Sequence, residues 1–282
     1  MTKTILVLGA TGKQGGATVE ALRGTEFAVR ALVRGGTGHE AAERLRGDGA
    51  DVVPGDLDDA ESLVRAMQGV YGVFSAINFR DVGVATEEAR GKRVADAAKA
   101  AGVEHFVYSS VGGAERDSRV PHFESKWRVE QHIGRIGLPH SVLRPTTFMT
   151  NLNEMSGLVR FIALSMSRGS MTDATPLQMI AVRDIGRWAA HMFAEPDTYL
   201  GAAVEIAGDV VTFDQMIQAY QRVYGRRPRS VSLPVSWMLR GDDGRMFTWI
   251  STKGYRADLA QNRAAIPDLL TFEQFLALRT PS

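Results

Sequence analysis

The stretch with the most evident chemistry is Gly9-Ala10-Thr11-Gly12-Lys13-Gln14-Gly15-Gly16, which follows an apolar run and opens a helix-length segment. Its glycines are spaced G-x-x-G-x-x-G, a relative of the G-x-G-x-x-G fingerprint. The first glycine permits a tight turn, the second lets backbone approach a pyrophosphate, and the third allows helix to pack closely on strand. Exposed N–H groups and the positive end of the helix then hold the anion. The plainer alternative is a glycine turn at a strand–helix junction. Arg34 ends the second strand candidate, where NAD-specific folds place an acid for the ribose 2′-OH. A guanidinium there suits a 2′-phosphate instead, unless Arg34 is simply solvated. After the third strand candidate, Asp56 can accept from an adenine amino group and Leu57 can cover the ring. Asp58 or Asp59 would then cap the next helix.

These residues need a frame that brings strand ends together. Strand candidates are Thr4 to Leu8, Phe27 to Val33, Asp51 to Val53, Val70 to Ala76, Glu104 to Ser109 and His140 to Leu143, each nearly continuous in apolar residues. Such runs suit strands covered on both faces, hence a parallel sheet. Helix-length stretches lie between them at Gln14 to Arg23, Glu40 to Arg46, Ala60 to Gln68, Val84 to Ala101 and Phe123 to Ile136. Repeated strand–helix alternation predicts an α/β doubly wound parallel sheet, the Rossmann architecture, over residues 1–150. A strand at Pro176 to Val182, a helix at Asp184 to Phe193 and a strand at Ala203 to Ile206 are expected to return residues 176–207 to that sheet. The irregular remainder, 151–175 and 208–282, reads as a smaller discontinuous C-terminal lobe with helices at Phe213 to Tyr224 and Phe272 to Leu278.

Composition narrows the function. Lys+Arg 33 against Asp+Glu 32 leaves a formal charge of +1, so no global basic field argues for nucleic acid or an anionic membrane. Arg222, Arg226, Arg227 and Arg229 form a local basic cluster, read as a solvated loop after a helix. Cysteine is absent, which excludes disulfides, thiolate metal sites and a cysteine nucleophile and points to a reducing compartment. Gly9 and Gly12 interrupt the first apolar run too soon for a secretory segment, and no run approaches the ~18 to 20 residues that cross a bilayer. A cytoplasmic location is expected. His39, His105, His132, His140 and His191 have no ligand spacing, so no metal is expected.

With the glycine loop, Arg34, Gly55-Asp56-Leu57-Asp58-Asp59 and Pro121-His122-Phe123-Glu124-Ser125-Lys126, the chain resembles the NmrA-like family of atypical short-chain dehydrogenase/reductases. The likeness extends to Leu270-Thr271-Phe272-Glu273-Gln274-Phe275 and is greatest to the redox-sensor branch that prefers NADP(H). The resemblance implies cofactor contacts from Gly9, Thr11, Gly12, Lys13, Gln14, Gly15, Arg34, Asp56 and Leu57. It implies further contacts beside the ribose and nicotinamide from Ile77, Asn78 and Phe79, and from Phe148, Met149 and Asn151. Short-chain reductases use a tyrosine acid, a lysine four residues later and an upstream serine. The corresponding residues are Lys126 and Ser110, with His122 in the tyrosine position. The redox-sensor branch likewise lacks the tyrosine.

Binding of NADP(H), with NAD(H) weaker, is therefore expected, in a cofactor sensor or regulator with weak or no dehydrogenase activity. The alternative is an NADPH-dependent oxidoreductase of a small carbonyl or quinone compound. A sensor implies a protein partner or self-association.

Overall fold

The computed structural model describes residues 2–35, 40–153, 175–228 and 242–278. Strand and helix alternate as β1 (Thr4–Val7), α1 (Lys13–Leu22), β2 (Ala28–Val33), α2 (Glu40–Gly47), β3 (Asp51–Pro54), α3 (Ala60–Met67) and β4 (Gly72–Ser75). There follow α4 (Phe79–Val82), α5 (Val84–Ala100), β5 (His105–Ser109), α6 (Pro121–Arg135), β6 (His140–Pro145), β7 (Thr147–Phe148) and α7 (Thr150–Asn153). Beyond them are β8 (Leu177–Ile180), α8 (Val182–Ala194), α9 (Pro196–Tyr199), β9 (Ala203–Ile206), β10 (Asp209–Val211) and α10 (Phe213–Tyr224). The last described elements are α11 (Asp242–Thr252), α12 (Leu259–Ala265) and α13 (Phe272–Ala277).

Seven strands form one sheet in the order β3-β2-β1-β4-β5-β6-β9, and the pairs from β3 through β6 are parallel. The order reverses between β1 and β4, which opens a crevice at the carboxyl ends of those strands. This is the Rossmann-type sheet expected from the apolar strands. Ile5, Leu6, Val73, Phe74, Phe106 and Val107 have no exposed surface, because helices cover both faces. On one face Leu6, Val73, Phe106 and Tyr108 pack with Val94 and Ala98 of α5 and Val129 and Ile133 of α6. On the other, α1 and α8 approach so closely that a Cβ on Gly186 would lie 2.1 Å from the Ala17 carbonyl oxygen. Only glycine fits there.

The chain divides into two compact units, residues 1–111, 124–144 and 185–204 in one and 112–123, 145–184 and 205–282 in the other. Residues 176–207, expected to return to the main sheet, divide between two sheets. β9 joins the main one, but β8 pairs antiparallel with β10 and parallel with β7 in a three-stranded sheet of the second unit. The reason is local: β8 finds its partners in the strands beginning at Thr147 and Asp209, which are too short to show a period in the sequence. In the same unit, capping boxes at Thr212/Gln215 and Thr271/Gln274 start α10 and α13. The buried Asp184 carboxylate accepts from the Leu270 N–H at 2.9 Å. Residues 154–174, most of the expected 151–175 stretch of the lobe, lie outside the described residues, as does Arg229 of the basic cluster. Arg222 of that cluster is held by Glu273 at 2.7 Å. Among the described residues, no helix is long and apolar enough to cross a membrane.

In the first unit, His105 at the start of β5 is fully buried. Its Nε2 lies 2.7 Å from Ser141 Oγ, and that hydroxyl donates to the Tyr199 carbonyl at 2.7 Å. Nε2 must therefore carry the ring proton, which leaves Nδ1 without a partner. A second proton would have no acceptor, and burial holds the imidazole down from 6.5 to about 4.

Candidate functional site

The glycine loop of the first unit is built as its spacing predicts. Gly9 leaves β1 at φ +65°, a left-handed conformation open to glycine, and its carbonyl accepts from the Gly12 N–H at 2.8 Å. A Cβ on Gly12 would stand 3.2 Å from Gly9 O, and one on Gly15 only 2.1 Å from the same atom. The first turn of α1 is thus pressed against the loop. Gly12 is the N-cap, offers no side-chain acceptor, and is followed by no acid in the first turn. Thr11, Gly12 and Lys13 are exposed. Helix N–H groups presented in this way form an anion cradle. Gln14 is tied down by Ser109, whose hydroxyl donates to its Oε1 at 2.6 Å.

Arg34 is exposed where β2 ends, before Gly35 at φ +77°. Among the described residues no carboxylate pairs with it. After β3, Asp56 has a partly structural role, since its Oδ1 accepts from the Asp58 N–H at 2.9 Å. Asp59 caps α3 by accepting from the Glu61 and Ser62 N–H groups. Asp58 instead pairs with Arg90 and Arg93 of α5, and its hydrogen bond from Arg90 holds its carboxyl below the usual range. Arg93 also donates to the Leu57 carbonyl at 2.8 Å, so the whole 56–59 loop is moored to α5. Leu57 packs against the core cluster.

At the end of β4, Ile77 is buried and Asn78 is exposed, its Oδ1 accepting from the Arg80 N–H at 3.1 Å. Phe79 opens α4; its side chain lies outside the described residues. The Ile77 carbonyl accepts from Lys126 Nζ at 3.3 Å. Lys126 is itself buried, with Nζ 2.8 Å from Glu87 Oε1 and 5.7 Å from the centre of the Tyr108 ring. The Glu87 contact is off line for a hydrogen bond and acts as an ion pair. The other Glu87 oxygen accepts from Ser125 Oγ at 2.9 Å. Burial first, and then the Glu87 and Glu130 charges, push the Tyr108 phenol well above its ordinary range. Ser110 donates its hydroxyl to Glu130, which also receives Arg144 at 2.6 Å. The Ser110 hydroxyl hydrogen is therefore directed at a buried carboxylate.

The second unit holds the remaining expected site residues. His122 is buried and meets the Phe123 ring edge-on at 4.9 Å. Phe148 is half-buried, Met149 is fully buried with its N–H on the Ile180 carbonyl at 3.0 Å, and Asn151 is exposed.

Glu87 and Glu130 were missed by the sequence reading. Their signal is an acid on an apolar helical stripe: Glu87 with Gly91, Val94 and Ala98 on α5, and Glu130 with Phe123 and Ile133 on α6.

Residues 1–250 match the model of the NmrA-like family. The chain belongs to that family. Among its relatives is the NmrA-like family domain-containing oxidoreductase FrzB of a Cladobotryum species, 28% identical over 265 residues, with 84% of this chain and 78% of FrzB covered. The fold is that of NmrA, a negative transcriptional regulator, in complex with NADP: TM-score 0.78, 19% identity, 98% of this chain and 95% of that one. It is likewise that of the Citrobacter sp. triphenylmethane reductase complexed with NADP(H), with TM-score 0.77, 20% identity and 98% and 99% covered.

Proposed function

We propose that this NmrA-like protein binds NADP(H) in preference to NAD(H) and works as a sensor or regulator reading the cofactor state, with weak or no dehydrogenase activity. The observation that carries the cofactor reading is the Gly9–Gly15 cradle, where a Cβ would collide with backbone, followed at the end of β2 by an exposed Arg34 that no described carboxylate neutralises. The cradle would take the pyrophosphate, Arg34 the 2′-phosphate, Asp56 and Leu57 the adenine side, and Lys126 with the Ile77 to Phe79 segment the nicotinamide ribose. The bound nicotinamide supplies a hydride donor or acceptor. NmrA and the Citrobacter reductase, which share the fold, are both known with NADP.

Weak or absent turnover is supported by two features of the chain. The tyrosine position is His122, and the Ser110 hydroxyl hydrogen is directed at Glu130 rather than free for a carbonyl oxygen. A second reading, an NADPH-dependent oxidoreductase of a small carbonyl or quinone compound, is favoured by relatives such as FrzB that are named oxidoreductases. One experiment separates them. NADPH and NADH affinities are measured for the wild type and Arg34→Asp, alongside NADPH consumption with aldehydes, ketones and quinones. The proposal expects NADPH to bind about ten- to a hundredfold more tightly than NADH, a charge-assisted hydrogen bond's worth, and the preference to vanish in the variant. Tight binding without turnover selects the sensor; rapid turnover selects the oxidoreductase. Equal affinities in the wild type reject the Arg34 assignment.

A further inference from the structure

A buried ammonium needs a counter-charge, and the partner of Lys126 is specific. α5 begins at the carboxyl end of β4, so its first turn, which carries Glu87, lies at the edge of the sheet where ligands bind in this architecture. Glu87 has 1% of its surface exposed, and that first turn is also the positive end of a 17-residue helix, favourable ground for a carboxylate. One Glu87 oxygen is fixed by the Ser125 hydroxyl, and the other stands 2.8 Å from Lys126 Nζ. Ser125 and Lys126 are neighbours on α6, so a single carboxylate fastens two successive residues of that helix. The Ile77 carbonyl restrains the same ammonium at 3.3 Å. An ammonium so placed has three hydrogens; one faces Ile77 and the Glu87 charge lies to another side.

We propose that Glu87 is a positioning residue for nucleotide binding: it keeps the buried Lys126 ammonium in place at the strand ends, with a donor left to grip the hydroxyls of the nicotinamide ribose. The inference rests on the NADP(H) reading above and adds to it a residue that touches no nucleotide. Removing the carboxylate leaves a buried charge unpaired, and the lysine side chain is then free to relax towards water. The adenine half of the nucleotide, held by other residues, is unaffected.

The test uses the whole chain and two probes, NADPH and 2′,5′-ADP, which keeps the 2′-phosphate and adenine but lacks the nicotinamide ribose. Glu87→Gln preserves shape and removes charge. It is expected to weaken NADPH by about tenfold or more while leaving 2′,5′-ADP within twofold of wild type, the loss of one charge-assisted contact. Lys126→Met should give the same split, and Glu87→Gln/Lys126→Met no more than Lys126→Met alone, since the two act through one contact. Glu87→Asp keeps the charge but draws it back from the ammonium, and serves if Glu87→Gln does not fold. In that case, NADPH weakened without loss of 2′,5′-ADP in Glu87→Asp supports the proposal, and undiminished NADPH binding overturns it. Equal weakening of both probes by Glu87→Gln, or undiminished NADPH binding, overturns it. A wild type that binds neither probe overturns the NADP(H) reading and this inference with it, whereas wild-type binding with an unaffected Glu87→Gln overturns the inference alone.

Discussion

Gly15→Ala probes the close approach on which the cradle depends. An ideal Cβ at this position would lie 2.1 Å from Gly9 O, 2.4 Å from Gly9 C and 2.8 Å from Ala10 N, all backbone atoms, so no side chain can swing away to admit it. Ordinary contact requires the loop and the first turn of α1 to part by about 1 Å, which costs about 1–3 kcal/mol in a well-packed site. The displacement falls on the N–H groups that, in the proposed reading, would face the pyrophosphate. NADPH affinity should therefore drop by about tenfold or more, since each lost charge-assisted bond is worth about 1.5–3 kcal/mol. Urea unfolding measures the first effect and fluorescence titration with NADPH the second. Gly47→Ala is the control: it ends α2 with nothing within 4 Å of its would-be Cβ, and both measurements should stay at wild-type values or improve slightly. A Gly15→Ala protein with wild-type stability and wild-type affinity would refute the reasoning.

Three further outcomes are expected. Between the ordinary histidine value of 6.5 and about 4, the unfolded chain takes up a proton that folded His105 refuses, so stability falls as pH drops through that window, by about 3 kcal/mol from this residue. Urea midpoints at pH 7 and pH 5 should differ less in His105→Gln than in the wild type, and an equal loss in both would remove His105 as the cause. Glu130→Ala removes the buried carboxylate that accepts from both the half-buried Arg144 and Ser110, and should lower stability by about 1–3 kcal/mol by denaturant unfolding, with a surface-like change under about 0.5 kcal/mol counting against it. His122→Tyr restores the acid of the short-chain reductases, and any background NADPH-dependent carbonyl reduction should rise; an unchanged rate at unchanged NADPH affinity would mean the acid was not limiting.

The strands and helices of the first unit were legible because burial on both faces makes each strand a continuous apolar run, as in Ile5-Leu6-Val7 and Phe106-Val107-Tyr108, and because glycine or a polar cap punctuates each one. Phe213–Tyr224 was read to the residue since Thr212 and Gly225 mark its ends. The small sheet was not legible. β7 and β10 have two and three residues, too few for a period, and β8 has the same composition as a strand of the main sheet, so only its pairing tells them apart. The glycine loop declares itself because its chemistry is local in sequence. The Glu87–Lys126 and Ser110–Glu130–Arg144 contacts do not, because they join elements far apart in the chain, and a lone acid on an apolar stripe names no partner.

The backbone contact between Gly186 and Ala17 has a consequence for how the protein is made. The helix that carries the anion cradle is backed by a helix that leaves the ribosome long after it, and the two meet with no side chain between them to tolerate a looser fit. The N-terminal strand–loop–helix can form early from local contacts, yet α1 gains its rigid backing only once residues beyond Val182 have emerged and α8 has docked. Until then the nascent chain carries a recognisable glycine fingerprint without that backing. Rigid backing of the glycine loop is in this sense a late event of synthesis, since the loop itself is translated well before α8.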